Sequence, residues 1–152
     1  MTQLSNLSRI SLRQMILALV LIGIVGLIAE LLLQKHFESA TQIIPLATLG
    51  AGLATTIIAA RNPTPASMRA FSIMMIVFVA AGVLGLVLHF KGNMEWALER
   101  NPDLGGANLI WKSLTGATPA LAPGALTQLG LLGLVWAYRN PGNAIQIPEQ
   151  GD

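Results

Sequence analysis

The chain has 152 residues, 53% of them hydrophobic and only 11% charged, against about 25% charged in soluble domains. With a mean hydropathy of +0.63, it reads as an integral membrane protein. The formal net charge of +2 is scattered, which argues against nucleic acid, and the absence of cysteine excludes disulfides, thiol catalysis and iron–sulfur clusters.

About 20 helical residues at 1.5 Å rise cover the roughly 30 Å hydrocarbon core. Four apolar stretches meet that length, near 12–33, 42–60, 69–90 and 120–138. The first follows two arginines and resembles a signal peptide in outline. It is too long for one and has no small-residue cleavage site after it, so a retained span is expected.

Orientation follows from lysine and arginine. Arg9 and Arg13 precede span one, Arg61 and Arg69 bracket the second loop, and Arg139 closes span four. On the opposite side Lys35, Lys91, Arg100 and Lys112 are diluted over a long loop and balanced by Glu38, Glu95, Glu99 and Asp103. The positive-inside rule then puts both termini in the cytoplasm, with the chain in the plasma (inner) membrane.

Spans two and four end alike. "IPLATLGAGLATTIIAARNP" (44–63) aligns without gaps on "APGALTQLGLLGLVWAYRNP" (122–141), at an offset of 78 that matches Pro45 with Pro123, Gly52 with Gly130 and Arg61-Asn62-Pro63 with Arg139-Asn140-Pro141. Spans one and three align at an offset of 59, pairing Met15 with Met74, Val20 with Val79, Gly23 with Gly82 and Gly26 with Gly85. Duplication of a two-span hairpin is expected, with a pseudo-twofold axis along the membrane normal. The alternative is chance similarity among apolar helices, in which the tripeptide recurs because Arg snorkels, Asn caps and Pro ends a helix.

At the offset of 59, Glu30 pairs with His89. At 100° per residue Gly23, Gly26 and Glu30 fall within about a 60° arc, as do Gly82, Gly85 and His89. Small residues let helix backbones approach in lipid, so this stripe is expected to face protein, as are Gly130 and Gly133 in span four. An intramembrane ionisable group is costly toward mid-bilayer and cheaper near a helix end. Glu30 and His89 are therefore a candidate polar or ligand site at the outer end of the bundle, joined by Gln128 and by Thr48 at similar depth. The competing reading is that each snorkels at its own helix end. Pro45 and Pro123 each free a carbonyl four residues earlier, at Thr41 and Pro119, which can accept from the polar groups or from interfacial water.

The loop 91–119 is too polar to span. "NMEWALERNP" offers Asn93 as an N-cap and Asn-Pro as a stop, and "ANLIWKSL" follows Gly105-Gly106. Two short interfacial helices are predicted, anchored by Trp96 and Trp111 at headgroup depth, serving as a lid, an anchor or a docking surface. His36, Glu38, Glu95 and Glu99 carry metal-ligand chemistry, but no ligand spacing joins them, and no metal site is assigned.

The chain lacks the paired cysteines of disulfide-generating membrane oxidoreductases. It resembles the small multidrug transporters in size and in carrying a first-span glutamate, but Glu30 lies near the helix end rather than mid-membrane, and no family is assigned.

The expected fold is an all-α integral membrane bundle of four transmembrane helices, built as two parallel two-helix repeats plus short interfacial helices in the third loop. Residues 1–11 form a cytoplasmic segment, 12–63 the first hairpin, 69–141 the second with its outer loop 91–119, and 142–152 a cytoplasmic tail. The function expected is that of a noncatalytic structural or accessory subunit of a larger membrane complex, packing against the bilayer and against other membrane subunits or copies of itself. The alternative is a small transporter or a protein binding lipid, quinone, haem or pigment at the Glu30/His89 site. No cofactor is indicated by a motif, although His89 has the chemistry to ligate a haem or chlorin. Catalysis on a lipid or quinone has the least support.

Overall fold

A computed structural model describes residues 11–35, 38, 40–116 and 123–138. Arg9, His36, Pro119, the Arg139-Asn140-Pro141 tripeptide and the C-terminal tail lie outside the described residues. Five helices and no strands occur among those described: α1 (Leu12–Leu33), α2 (Ala40–Arg61), α3 (Pro65–Arg100), α4 (Gly106–Leu114) and α5 (Gly124–Ala137). The first three are long and apolar enough to cross a membrane, and α5 is a shorter apolar helix of 14 residues. At 1.5 Å per residue these 14 residues cover about 21 Å, less than a full hydrocarbon core.

Local chemistry sets the helix ends. Ser11 opens α1 with a capping box: its Oγ accepts from the Gln14 amide at 3.3 Å and its own amide donates to Gln14 Oε1 at 2.8 Å. The helix closes at Gln34, and Lys35 follows in the left-handed region at φ 52°, its amide donating to Leu32 O at 3.1 Å. That is the bond and position of a Schellman close, a place glycine usually takes. Between α2 and α3, Thr64 Oγ1 accepts from the Ser67 amide at 3.2 Å and Ser67 Oγ accepts from the Thr64 amide at 3.0 Å, with Pro65 at the first helical position.

The third loop differs from its predicted form. Residues 91–100 are not a separate surface helix; they continue α3, which runs unbroken for 36 residues, about 54 Å. No proline interrupts it before Pro102, and Asn93 is not a cap but sits in the helix interior, buried, with Nδ2 donating to Ser113 O at 2.9 Å. A partner twenty residues away has taken the hydrogen bond that a cap would have made locally. Among the described residues of that loop, α4 is the one separate short helix.

The chain divides into two compact units, and the boundaries cross α3 and α5. One unit holds α1, α2, α3 up to Ile73 and α5 from Leu132. In it α1 packs on α2, and Val20, Ile24, Leu49, Ala59, Met68 and Phe71 are buried. Phe71 and Trp136 meet edge to face at 5.0 Å between centroids, and Arg13 donates to the main-chain oxygen of Tyr138. The other unit holds α3 from Met74, α4 and α5 up to Leu131. Its buried residues include Met75, Phe78, Ala97, Leu126 and Leu129.

Hydroxyls inside the apolar helices bond to their own backbones. Thr56 Oγ1 donates to Gly52 O at 2.6 Å and Ser72 Oγ to Met68 O at 2.9 Å. In hydrocarbon an unpaired hydroxyl costs several kcal/mol, so such back-bonding lets these residues sit in a span.

Candidate functional site

In the first unit, Glu30 is exposed on the last turn of α1, and Gln34 Nε2 donates to its Oε1 at 3.1 Å. The i, i+4 spacing that helices impose brings this amide to the carboxylate. Thr48 is half-buried on α2 and turns its hydroxyl to Ile44 O at 2.8 Å. In the second unit, His89 is half-buried on α3 and Gln128 is exposed on α5. Glu30 and Thr48 therefore belong to one unit and His89 and Gln128 to the other.

The glycines differ sharply in their surroundings. In the second unit α5 runs against α3 so closely that side chains are excluded. A Cβ on Gly130 would stand 2.6 Å from Met75 O and 2.8 Å from Val79 Cγ2, and one on Gly85 2.8 Å from Pro123 Cβ. One on Gly82 would strike the Thr127 side chain, lying also 2.6 Å from the Thr127 nitrogen and 2.8 Å from Pro123 O. Gly133 is buried on α5, and Gly23 is half-buried on α1. Gly26, in contrast, is exposed, and a Cβ there would meet nothing within 4 Å. It lies in a shallow apolar groove of about 430 Å³ lined by Leu21, Ile22, Val25 and Gly26.

The outward face of α1 is extensively apolar around this groove: Leu19, Ile22 and Val25 are all more than half exposed. In water such a face would be an aggregation site. In a bilayer apolar exposure is neutral by itself, and what draws helices together is shape, chiefly a backbone left open by a small residue.

A second concave feature lies where the C-terminal end of α3 meets α4. Trp96, Ala97, Arg100 and Asn101 line one wall and Lys112, Thr115 and Gly116 the other, enclosing about 450 Å³. Asn93 links the two helices: its Nδ2 donates to Ser113 O, and its side chain packs on Gly116, where an added Cβ would come 2.5 Å from Asn93 Cγ. The Arg100 guanidinium lies over the Trp96 ring, 4.1 Å from its centroid, a cation–π contact that fixes both side chains. Trp96 is 43% exposed and Trp111 67%.

Sequence reasoning singled out the two tryptophans and missed Arg100, Lys112 and the Asn93 lock. The Trp96/Arg100 spacing of four residues was the available signal, whereas the Asn93 to Ser113 bond left no local trace. Among the described residues no three of His, Asp and Glu gather to hold a metal ion. Lys91 and Glu95 on α3 form an exposed ion pair at 3.7 Å.

Comparison with protein-family models, with curated proteins and with solved structures finds no match to this chain.

Proposed function

We propose that the chain is a noncatalytic accessory subunit of a larger membrane complex, and that its first span, α1, packs against a transmembrane helix of another subunit at Gly26. The observation that carries this reading is the difference between two glycines that the 59-residue offset pairs. Gly85 is closed by Pro123 within the chain, whereas Gly26 is left open in an apolar groove. A helix backbone seated at Gly26 gains the close van der Waals contact that drives association in lipid.

The same reading takes α5, with flanking residues, as a fourth span, and the four spans as two parallel hairpin repeats with both termini in the cytoplasm of a plasma (inner) membrane. Support comes from the contact of Arg13, at the start of α1, with the main chain of Tyr138, at the end of α5. Such a contact suits an even number of crossings, and Arg61 and Arg69, on either side of the turn between α2 and α3, suit a cytoplasmic face.

The test is purification of the full chain from native membranes in mild detergent, beside Gly26→Leu. A partner chain in fixed stoichiometry, lost from Gly26→Leu while its melting temperature is unchanged, supports the proposal. A lone wild-type protein, or one carrying a pigment, haem or quinone in place of a protein partner, overturns it.

A further inference from the structure

We propose that the cleft between α3 and α4 is a binding site for the phosphate group of an anionic ligand, presented by a lipid headgroup at the membrane surface. Three observations converge on it, independently of any role for α1.

The first is charge. Arg100 and Lys112 stand on opposite walls, and no carboxylate is among the lining residues. Glu95, the acid one turn before Glu99 on α3, is engaged by Lys91, while Glu99 and Asp103 lie outside the lining. Two cations facing one open volume favour an anion, and arginine offers planar paired donors that suit phosphate oxygens. Asn101 and Thr115 add neutral hydrogen-bonding groups at the rim.

The second is rigidity. Arg100 is held over Trp96, and α4 is fixed to α3 by buried Asn93. A preformed site loses less side-chain entropy on binding than one made of free lysines. Lys112 is carried on this same fixed helix.

The third is depth. The apolar part of α3 ends near Phe90, and Trp96 follows six residues later, about 9 Å farther along the axis. Helical side chains lean toward the N-terminus, here toward the bilayer. That brings the Trp96 ring, and the Arg100 guanidinium that lies over it, back to the headgroup layer, which adds roughly 5 to 8 Å beyond the hydrocarbon on each side. Trp111, exposed on α4, has the amphipathic ring that favours the same layer.

The experiment uses the full chain in neutral detergent, with native mass spectrometry and titration by short-chain phosphatidylglycerol, short-chain phosphatidylcholine and sodium phosphate. One phosphatidylglycerol is expected to bind per chain, more tightly than phosphatidylcholine, weakening as salt rises. Arg100→Gln with Lys112→Gln is expected to weaken it by on the order of tenfold or more, and Arg100→Lys with Lys112→Arg to retain most of it. Displacement by low millimolar sodium phosphate beyond that produced by sodium chloride at equal ionic strength would assign the same phosphate site to a free anion; no such excess displacement would assign it to lipid. Equal binding of both lipids, or phosphatidylglycerol affinity unchanged in a folded Arg100→Gln, Lys112→Gln variant, overturns the proposal. If that double variant fails to fold, Lys112→Gln alone decides the same question: a shallower salt dependence, with Arg100 still present, supports the proposal, and an unchanged one overturns it.

Discussion

A Cβ placed on Gly82 would lie 2.6 Å from the main-chain nitrogen of Thr127, so α3 and α5 touch backbone to backbone at a point where only glycine fits. On α1, Gly26, which the 59-residue offset pairs with Gly85, has no such neighbour. Alanine in place of glycine favours a helix by about 1 kcal/mol, and forcing atoms into a filled contact costs about 1 to 3 kcal/mol. At Gly82 the obstructing atoms are main chain and cannot rotate away, so the contact term wins. Gly82→Ala is expected to lower stability by up to about 2 kcal/mol, and Gly26→Ala to leave the isolated chain unchanged or slightly more stable. Thermal unfolding of the two variants in the same detergent checks this; equal shifts of the same sign would contradict it.

Asn93 and Ser113 give a second expectation, which concerns α4 alone. That helix has nine residues, too few to persist without packing, and the Asn93 side chain supplies its fixed link to α3. Asn93→Leu removes a buried hydrogen bond worth about 1 to 2 kcal/mol. Local opening of residues 106–114 should rise roughly 5- to 30-fold, by that free energy, with little change in global melting. Hydrogen exchange resolved by peptide, or the rate of tryptic cleavage after Lys112, reads it. Gly116→Val, which drives a side chain into Asn93, should act in the same direction. Exchange as slow as in wild type for both variants would show that α4 is held by something else.

Much of this was legible in sequence wherever the signal was local. The Ser11 to Gln14 box and the uninterrupted apolar run fix α1 at Leu12–Leu33, the limits expected from the sequence. The Asn101-Pro102 stop was expected to end a short surface helix after a span closing near residue 90; it ends α3 itself, at Arg100. What failed to show was what depends on distant partners. Asn93 carries the residue type of a cap, and only its bond to Ser113 makes it a helix-interior residue. The six glycines at helical spacing looked alike, because nothing in their own segment says that Gly82, Gly85 and Gly130 face a neighbouring helix while Gly26 faces none. Lys35 gave no warning of its left-handed backbone, since the sequence cue for that conformation is glycine or asparagine.

Lys35 supplies a further test. A left-handed conformation costs a side-chain-bearing residue roughly 1 kcal/mol relative to glycine. Lys35→Gly removes both charge and strain, whereas Lys35→Ala removes the charge and keeps the strain. Lys35→Gly is expected to exceed Lys35→Ala in stability by about 1 kcal/mol, measured by unfolding in detergent. Equal stabilities would mean that the turn after α1 relaxes out of φ 52° in solution.

Phe71 and Trp136 allow the apolar core to be weighed in lipid terms. Phe71 is fully buried and meets Trp136 edge to face at 5.0 Å. In water-soluble proteins Phe→Ala costs about 3 to 5 kcal/mol, part of it transfer from water. Within a bilayer the transfer part shrinks, since lipid is as apolar as a core, and the lost packing remains. Phe71→Ala is therefore expected to cost about 1 to 3 kcal/mol, and Phe71→Leu less than half as much. A Phe71→Ala loss of 5 kcal/mol or more would put this contact outside the hydrocarbon.

The most direct test of the subunit reading is photocrosslinking in native membranes from single positions carrying a benzophenone side chain. Ile22 and Val25 report the open groove, and Ile76 and Val83 report exposed apolar positions on α3. A discrete protein adduct from Ile22 and Val25, of one size and absent from Ile76 and Val83, is the expected result. Lipid adducts alone from all four positions would contradict it.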